Sequence, residues 1–364
     1  MSTKTLHLVV NQRGIHLINY DYPPARAPRE LFCCFKYFSY LCKLIYHICI
    51  TNIKYYPTED MKSSLIAGEP ASPWGGAWTE EKLNAFEKYV NAYLTIMNKY
   101  RGQYDWKLIY FDGFAGSGSR NEENTSDKNQ LMIDLIDDHQ ITVEELAPYK
   151  GAAERVLCIA QDGFDYYYFI DKDAVSSNQL QEKLTPFQKD NRLEFRHSDA
   201  NTEVSKLADA MHSNNKLKAL VLLDPFGMQV DWDSIEKLKG TSTDLWILIP
   251  TGVIVNRLLD RKGKLTHIEK LTSFFGEDEV FLRNYFYNTR QESTLFGETE
   301  VVEKVKEPIR MIANLYIQQM KTIFKYATEE PLVLYNTRNT PIFHFACASN
   351  NESAVKIAHE IINK

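Results

Sequence analysis

The stretch 107-KLIYFDGFAGSG-118 decides the fold. Apolar residues lead to an acid, Asp112, and a turn follows with glycines at Gly113, Gly116 and Gly118. The same grammar recurs in FIDKD at 169–173, EFRHSDA at 194–200 and LVLLDPFG at 220–227. Each reads as a strand closed by an aspartate, at Asp112, Asp171, Asp199 and Asp224. One such strand is noise. A series in order, with helical sequence between most members, predicts a parallel sheet whose C-terminal edge is a binding site.

Composition sets the outer bounds. The chain has 364 residues, 44% hydrophobic and 25% charged, as expected for a globular protein. Its net charge of −6 supplies no global basic field, so nucleic-acid contact would need a local patch. Cys33, Cys34, Cys42, Cys49, Cys158 and Cys347 form no CxxC pair and no zinc-ligand spacing with histidine. The expectation is a cytoplasmic protein with no metal and no disulfide framework. Residues 1–60 differ from the rest, and the apolar run 31–50 raises a membrane helix. Lys36 and Lys43 interrupt that run, and no signal-peptide cleavage site follows it, so no membrane association is expected. Met61 is the expected start, with 1–77 an extension and a Gly/Pro/Ser-rich linker.

Working outward from the glycine turn, WTEEKLNAFEKYVNAY starts a helix at 78. Thr79 reads as its N-cap, Trp78 as a staple onto Leu83, and Leu83, Phe86, Val90, Leu94 and Met97 as its buried stripe. Strands are expected at 108–111, 166–170, 192–196, 218–223 and 244–249. The second of these is an aromatic run that reads as buried on both faces. Helices are expected at 152–160, 174–184, 202–211 and 232–238. Residues 119–150 read as an acidic insertion with one or two short helices. Residues 251–330 carry helical patterns and no convincing strand, and are expected to form a helical insertion. Strands return at 332–334 and 342–346, and a helix closes the chain at 353–362. The fold class is therefore α/β: a doubly wound, Rossmann-like methyltransferase sheet ending in a C-terminal antiparallel hairpin, spanning 78–364.

The motifs narrow the chemistry. Gly113 and Gly118 have P-loop spacing, but Ser119 stands where that motif needs lysine. A dinucleotide fingerprint needs GxGxxG, and this turn is GxxGxG. An acid leading the turn suits a cationic ligand such as S-adenosylmethionine. Asp112, Gly113, Phe114, Gly116 and Gly118 are its expected cradle. Asp171 can accept ribose hydroxyls, with Asp173 as fallback or as a helix cap. Asp199 can accept from an adenine amine or cap the next helix. Asp224, Pro225 and Phe226 stand where amine-methylating enzymes place Asp-Pro-Pro-aromatic. Here the aromatic comes one place early. Asp224 would orient a nucleophile and Phe226 would stack or pack. Arg257, Arg261, Lys262, Lys264, Lys304, Lys306 and Arg310 could meet phosphates or be solvated helix faces. The histidines offer no catalytic arrangement.

WTEEKLNAFEKYVNAY, YFDGFAGSG, YYYFIDKD, LLDPFGMQVDWDSIEKL and DLWILIPTGVIVNRLL together resemble the three-Cys-motif partner protein family, from about residue 78 to the end. The resemblance implies a bacterial protein similar to class I S-adenosylmethionine-dependent methyltransferases, with S-adenosylmethionine as cofactor. It also implies a companion protein with a three-cysteine motif like that of radical S-adenosylmethionine enzymes. The DPFG segment, with the mobile-element or phage-defence flavour of such gene pairs, makes nucleic acid the expected acceptor. The alternative is a non-catalytic partner that binds the cofactor or a nucleotide and regulates the companion enzyme.

Overall fold

The computed structural model describes residues 5–11, 14–20, 77–118, 151–159, 162–188, 192–294 and 297–364. The apolar run 31–50, the linker up to residue 76 and the insertion 119–150 lie outside them. Contacts divide the chain into Met1–Glu69 and Pro70–Lys364. In the first unit, β1 (Thr5–Asn11) pairs antiparallel with β2 (Gly14–Tyr20).

The second unit opens with helix α1 (Ala77–Tyr104). The α/β alternation follows: β3 (Lys107–Asp112), α2 (Ala152–Leu157), β4 (Tyr166–Asp171), α3 (Ala174–Leu184), β5 (Leu193–His197), α4 (Ala200–Ser213), β6 (Leu217–Leu223), α5 (Trp232–Glu236) and β7 (Thr243–Ile249). A π-helical turn, Thr251–Val255, leads into α6 (Ile268–Phe275) and α7 (Glu279–Phe286). Then come β8 (Tyr287–Thr294), β9 (Gly297–Lys304), α8 (Pro308–Ile323), β10 (Tyr326–Ala327), β11 (Leu332–Tyr335), β12 (Pro341–Ser349) and α9 (Glu352–Ile362).

The main sheet has eight strands in the order β10-β12-β7-β6-β3-β4-β5, with β11 also pairing β12. β3 through β7 run parallel, and β12 is antiparallel between β7 and β11. That is the class I methyltransferase plan, with the last strand inserted in reverse. Strand alternation splits the core. Ile109 and Phe111 face α4, α5 and α8, while Leu108 and Tyr110 face α1, α2, α3 and α9. Helices cover both faces, as a parallel sheet requires.

Local departures from the sequence reading have physical causes. α1 begins at Ala77, so Thr79 lies in the first turn and is not its N-cap. Trp78 packs on Phe343, with ring centroids 5.2 Å apart. In β4, Tyr167, Phe169 and Ile170 are buried, but Tyr166 and Tyr168 are half-exposed, because their face borders an open groove next to the edge strand. The segment 251–330 holds helices and also an antiparallel hairpin, β8–β9, which was not expected. Its strands are polar and paired by charge, with Arg290 reaching Glu303 at 3.0 Å, so they carry no apolar alternation to read.

Phe86 anchors α1 to the sheet. It is 1% exposed, with the rings of Trp246, Tyr110 and Phe345 at 6.1, 6.3 and 6.4 Å. Phe86→Ala is expected to lower unfolding free energy by about 3–5 kcal/mol in urea titration, and Phe86→Leu by much less. A small loss for Phe86→Ala would show that the helix is held elsewhere.

Candidate functional site

The site grows from the pairing of β3 with β6. Asp112 lies opposite Leu222, and the ladder runs one residue further as Gly113 N–H donates to Leu222 O at 2.9 Å. A Cβ on Gly113 would lie 2.6 Å from Leu223 Cδ2, so any side chain here would have to push the Leu223 side chain aside. The chain then folds back. Phe114 N–H donates to Asp112 Oδ1 at 3.2 Å, Ala115 N–H to Ile170 O at 2.9 Å, and Gly116 N–H to Asp171 Oδ2 at 2.8 Å. Gly116 has φ 60°, the left-handed region that glycine enters without strain. Gly118 O then accepts from Gly151 N–H at 2.9 Å, so the two ends that flank 119–150 meet at the rim of the turn.

A cavity of about 230 Å³ opens over this turn, lined by Asp112, Phe114, Gly116, Gly118, Asp224 and Leu83 of α1, among others. Asp171 stands directly behind Gly116, and its Oδ1 accepts from Asp173 N–H at 2.7 Å. Those two backbone bonds leave lone pairs on its carboxylate for further donors. Asp173 caps α3 through Ser176 N–H at 2.8 Å, which is the cap role. Asp199 caps α4, accepting from Asn201 and Thr202 N–H at 3.0 and 3.2 Å, and does not line the cavity. Pro225 is buried, and the half-exposed Phe226 meets Phe343 edge-on at 5.9 Å.

Asp112 is the electrostatic centre. It is 2% exposed, and its Oδ2 accepts from Tyr110 Oη–H at 3.2 Å. Burial, and then the charge of Asp224, push its carboxyl from the ordinary 3.8 up to about 7. Burial also raises the Asp171 carboxyl.

Sequence reasoning missed Lys82. Its Nζ lies 2.5 Å from Asp224 Oδ2, with the lysine side chain 5% exposed, and 5.5 Å from the centre of the Trp78 ring. A signal was present: Lys82 falls midway between Trp78 and Phe86 on the apolar stripe of α1, where a charge is out of place unless paired.

The remaining sequence candidates lie elsewhere. Lys304 Nζ donates to Asn256 O and Oδ1, both at 2.6 Å, and burial lowers it to about 8, so it packs against the chain after β7. His344 is buried against Thr251 Oγ1 at 2.8 Å. Among the described residues no group of three or more His, Cys, Asp or Glu is placed to hold a metal ion. No described helix is long and apolar enough to cross a membrane.

No protein-family model matches the chain, and no curated protein matches it in sequence. Among solved structures, a DUF519 protein of Legionella pneumophila is 13% identical, covers 76% of this chain and 98% of its own, with a TM-score of 0.36. An S-adenosylmethionine-dependent methyltransferase of Clostridium acetobutylicum is 9% identical, covers 86% of this chain and 99% of its own, with a TM-score of 0.29. Neither score reaches 0.5, and the methyltransferase-like assignment of the fold rests on strand order.

The raised pKa of Asp112 has a stability consequence. Above pH 7 the folded protein bears an ionised, buried carboxylate. As pH falls through 7 towards 3.8, the folded state takes up this proton before the unfolded chain does, so the penalty shrinks. Asp112→Asn is therefore expected to raise the melting temperature, most at pH 8 and progressively less towards pH 4. A gain that is flat across this range would mean that the carboxyl is not strained.

Proposed function

We propose that the protein is an S-adenosylmethionine-dependent methyltransferase, of the three-Cys-motif partner kind, that acts on an amine of a nucleic acid. The observation that carries this reading is Asp112: a buried carboxyl, raised to about 7, on the wall of the cavity that the glycine turn bounds. The only buried cation bonded within this group, among the described residues, is Lys82, and it is bonded to Asp224. A cationic ligand would relieve Asp112, and Gly116 has open space where a side chain would otherwise stand. These features fit the cofactor named above.

In this reading Asp112 holds the ligand's ammonium end. The turn Gly113, Phe114, Gly116 and Gly118 shapes its pocket, and Asp171 accepts its ribose hydroxyls with its free lone pairs. Bound there, the cofactor supplies an activated methyl group. The chain's part is then positioning. Asp224 accepts a hydrogen from the acceptor amine and holds its lone pair in line. Pro225 fixes the turn, and Phe226 stacks on the acceptor ring. Asp199 is retained as a helix cap, through its bonds from Asn201 and Thr202 N–H. A bacterial cytoplasmic setting, a mobile-element or phage-defence context and a companion three-cysteine protein belong to this proposal through the family resemblance alone.

One observation favours a second reading. Asp224 already bears a cation, Lys82, as it would in a site that binds the cofactor without transferring its methyl group. The protein would then be a regulatory partner of the companion enzyme.

Calorimetric titration of S-adenosylmethionine and S-adenosylhomocysteine into the full chain tests the site. Both are expected to bind, and Asp171→Ala is expected to weaken both about tenfold or more without unfolding the protein. Failure of both ligands to bind folded protein overturns the proposal. Binding without labelled-methyl transfer to nucleic acid, with the companion present, selects the second reading.

A further inference from the structure

The chain between β7 and α6 gathers positive charge that the first cavity does not use. Residues 256–268 hold Arg257, Arg261, Lys262 and Lys264 against one acid, Asp260, in a protein whose net charge is −6. That acid is spent within its own loop. Its Oδ1 accepts from Lys262 N–H at 2.8 Å and its Oδ2 from Leu265 N–H at 2.7 Å. Tyr287 Oη–H donates to Asp260 O at 2.8 Å, and Arg283 donates to Gly263 O. Gly263 and Leu265 are buried, while Arg261, Lys262 and Lys264 are exposed. The loop is thus fastened through its small and apolar members and displays its cations to solvent. Surface lysines elsewhere lie against acids, as in Lys216–Asp105, Lys321–Glu329 and Lys356–Glu352. Among the described residues no salt bridge engages Arg261, Lys262 or Lys264. Lys304, at the end of β9, joins the group. Burial lowers its ammonium to about 8, with Asp260 pulling it up and Arg261 pushing it down. Like charges held this close repel one another, and a bound anion would relieve them.

A second cavity, of about 400 Å³, opens beside this loop. Arg257, Asp260, Thr266 and His267 give it a polar lining, and Ile254 and Leu258 an apolar one. Its place in the fold links it to the first cavity. β6 and β7 are parallel neighbours with Leu223 opposite Ile247, so Asp224 and the π-helical turn at Thr251 leave the same edge of the sheet. Leu258 and Phe226 pack against one apolar cluster. We infer that Arg257, Arg261, Lys262 and Lys264 hold the phosphate backbone of the strand whose base is methylated, and that the second cavity seats a nucleotide flanking the target. This inference rests on the nucleic-acid reading of Asp224 proposed above. Guanidinium groups meet phosphate oxygens in a fork, and lysines add point charge. The exposed Thr266 hydroxyl and His267 ring offer further donors. Such contacts fix the position of a strand without reading its sequence. A local patch of this kind is what a chain of net negative charge needs to approach a polyanion.

The test is fluorescence anisotropy of labelled single-stranded oligonucleotides, DNA and RNA, titrated with the full chain over a range of salt. Wild-type protein is expected to bind, with affinity falling as salt rises. The triple variant Arg261→Gln, Lys262→Gln and Lys264→Gln is expected to bind about tenfold or more weakly at about 0.1 M salt. Its salt slope should be shallower by about two, since each lost phosphate contact on a single strand removes about 0.7. Arg257→Gln is expected to weaken binding in the same direction. The control removes the same charge elsewhere, as Lys216→Gln, Lys321→Gln and Lys356→Gln, and is expected to change binding little. Single Lys262→Gln and Lys264→Gln variants, each read by its slope, decide the matter should the triple variant not fold. No oligonucleotide binding by folded wild-type protein overturns the inference. So does wild-type affinity in the folded loop variants, or an equal loss in the control. Binding to phosphatidylserine vesicles without binding to oligonucleotide would make the patch a membrane surface, and adenosine 5′-monophosphate displacing the strand at equal concentration would make it a mononucleotide site; either result also overturns it. S-adenosylhomocysteine titration separates the two levels. Its binding is expected to be unchanged in the loop variants. If it fails while oligonucleotide binding maps to the loop, the cofactor reading falls and the phosphate track stands. If it succeeds while no strand binds, the track and the nucleic-acid acceptor fall and the cofactor site stands.

Discussion

Two carboxylates leave neighbouring strands at the same edge of the sheet, and among the described residues a single buried cation is bonded to one of them. β3 and β6 are paired in a register that brings Asp112 and Asp224 within electrostatic reach, and the charge of Asp224 helps to raise Asp112. Parallel pairing leaves little freedom to separate them, because Asp112 is in the ladder and Asp224 follows directly on its last residue, Leu223. The rest of the site can be understood as accommodation of this excess of negative charge. Tyr110 and Phe114 supply neutral donors to Asp112, Lys82 supplies charge to Asp224, and the cavity is left acidic on the side of the glycine turn.

Lys82 also ties the site to the stability of the whole layer. It is fixed to α1, which is held by Phe86 in the aromatic cluster and by Tyr89, whose hydroxyl donates to Asp244 at 2.8 Å. Asp244 in turn accepts from Ser349 of β12 at 2.5 Å. One helix therefore bridges the first half of the sheet and the reversed final strand. Any shift of α1 along its axis would move the ammonium relative to Asp224, so packing on the outer layer sets the geometry of charge at the edge.

Much of the fold was legible because strands buried on both faces announce themselves as apolar runs. Asp112, Asp171 and Asp224 were legible because each closes such a run, and all three stand at or beside the glycine turn. Asp199 follows the same pattern yet serves as a cap, since local hydrogen bonding to Asn201 and Thr202 satisfies it as well as a ligand would. Lys82 was hidden because a lone lysine on a helix reads as solvated until its partner, far along the chain, is placed beside it. The β8–β9 hairpin was hidden for the opposite reason: polar on its exposed strands, it offers no periodicity, and its helical surroundings dominated the reading.

The meeting of Gly118 and Gly151 carries a consequence for how the chain can change. Gly118 and Gly151 are joined by one backbone hydrogen bond, braced from α3 by Lys183, which donates to Gly118 O at 2.9 Å. The length between these two glycines can change without altering the register of any described strand, and each doubling of a loop's length costs only about 0.6 kcal/mol in closure entropy. The Gly118–Gly151 junction is thus a graft port at the cavity wall. Related chains could trade whole segments there and acquire new targets while the sheet, the glycine turn and its acids stay as they are.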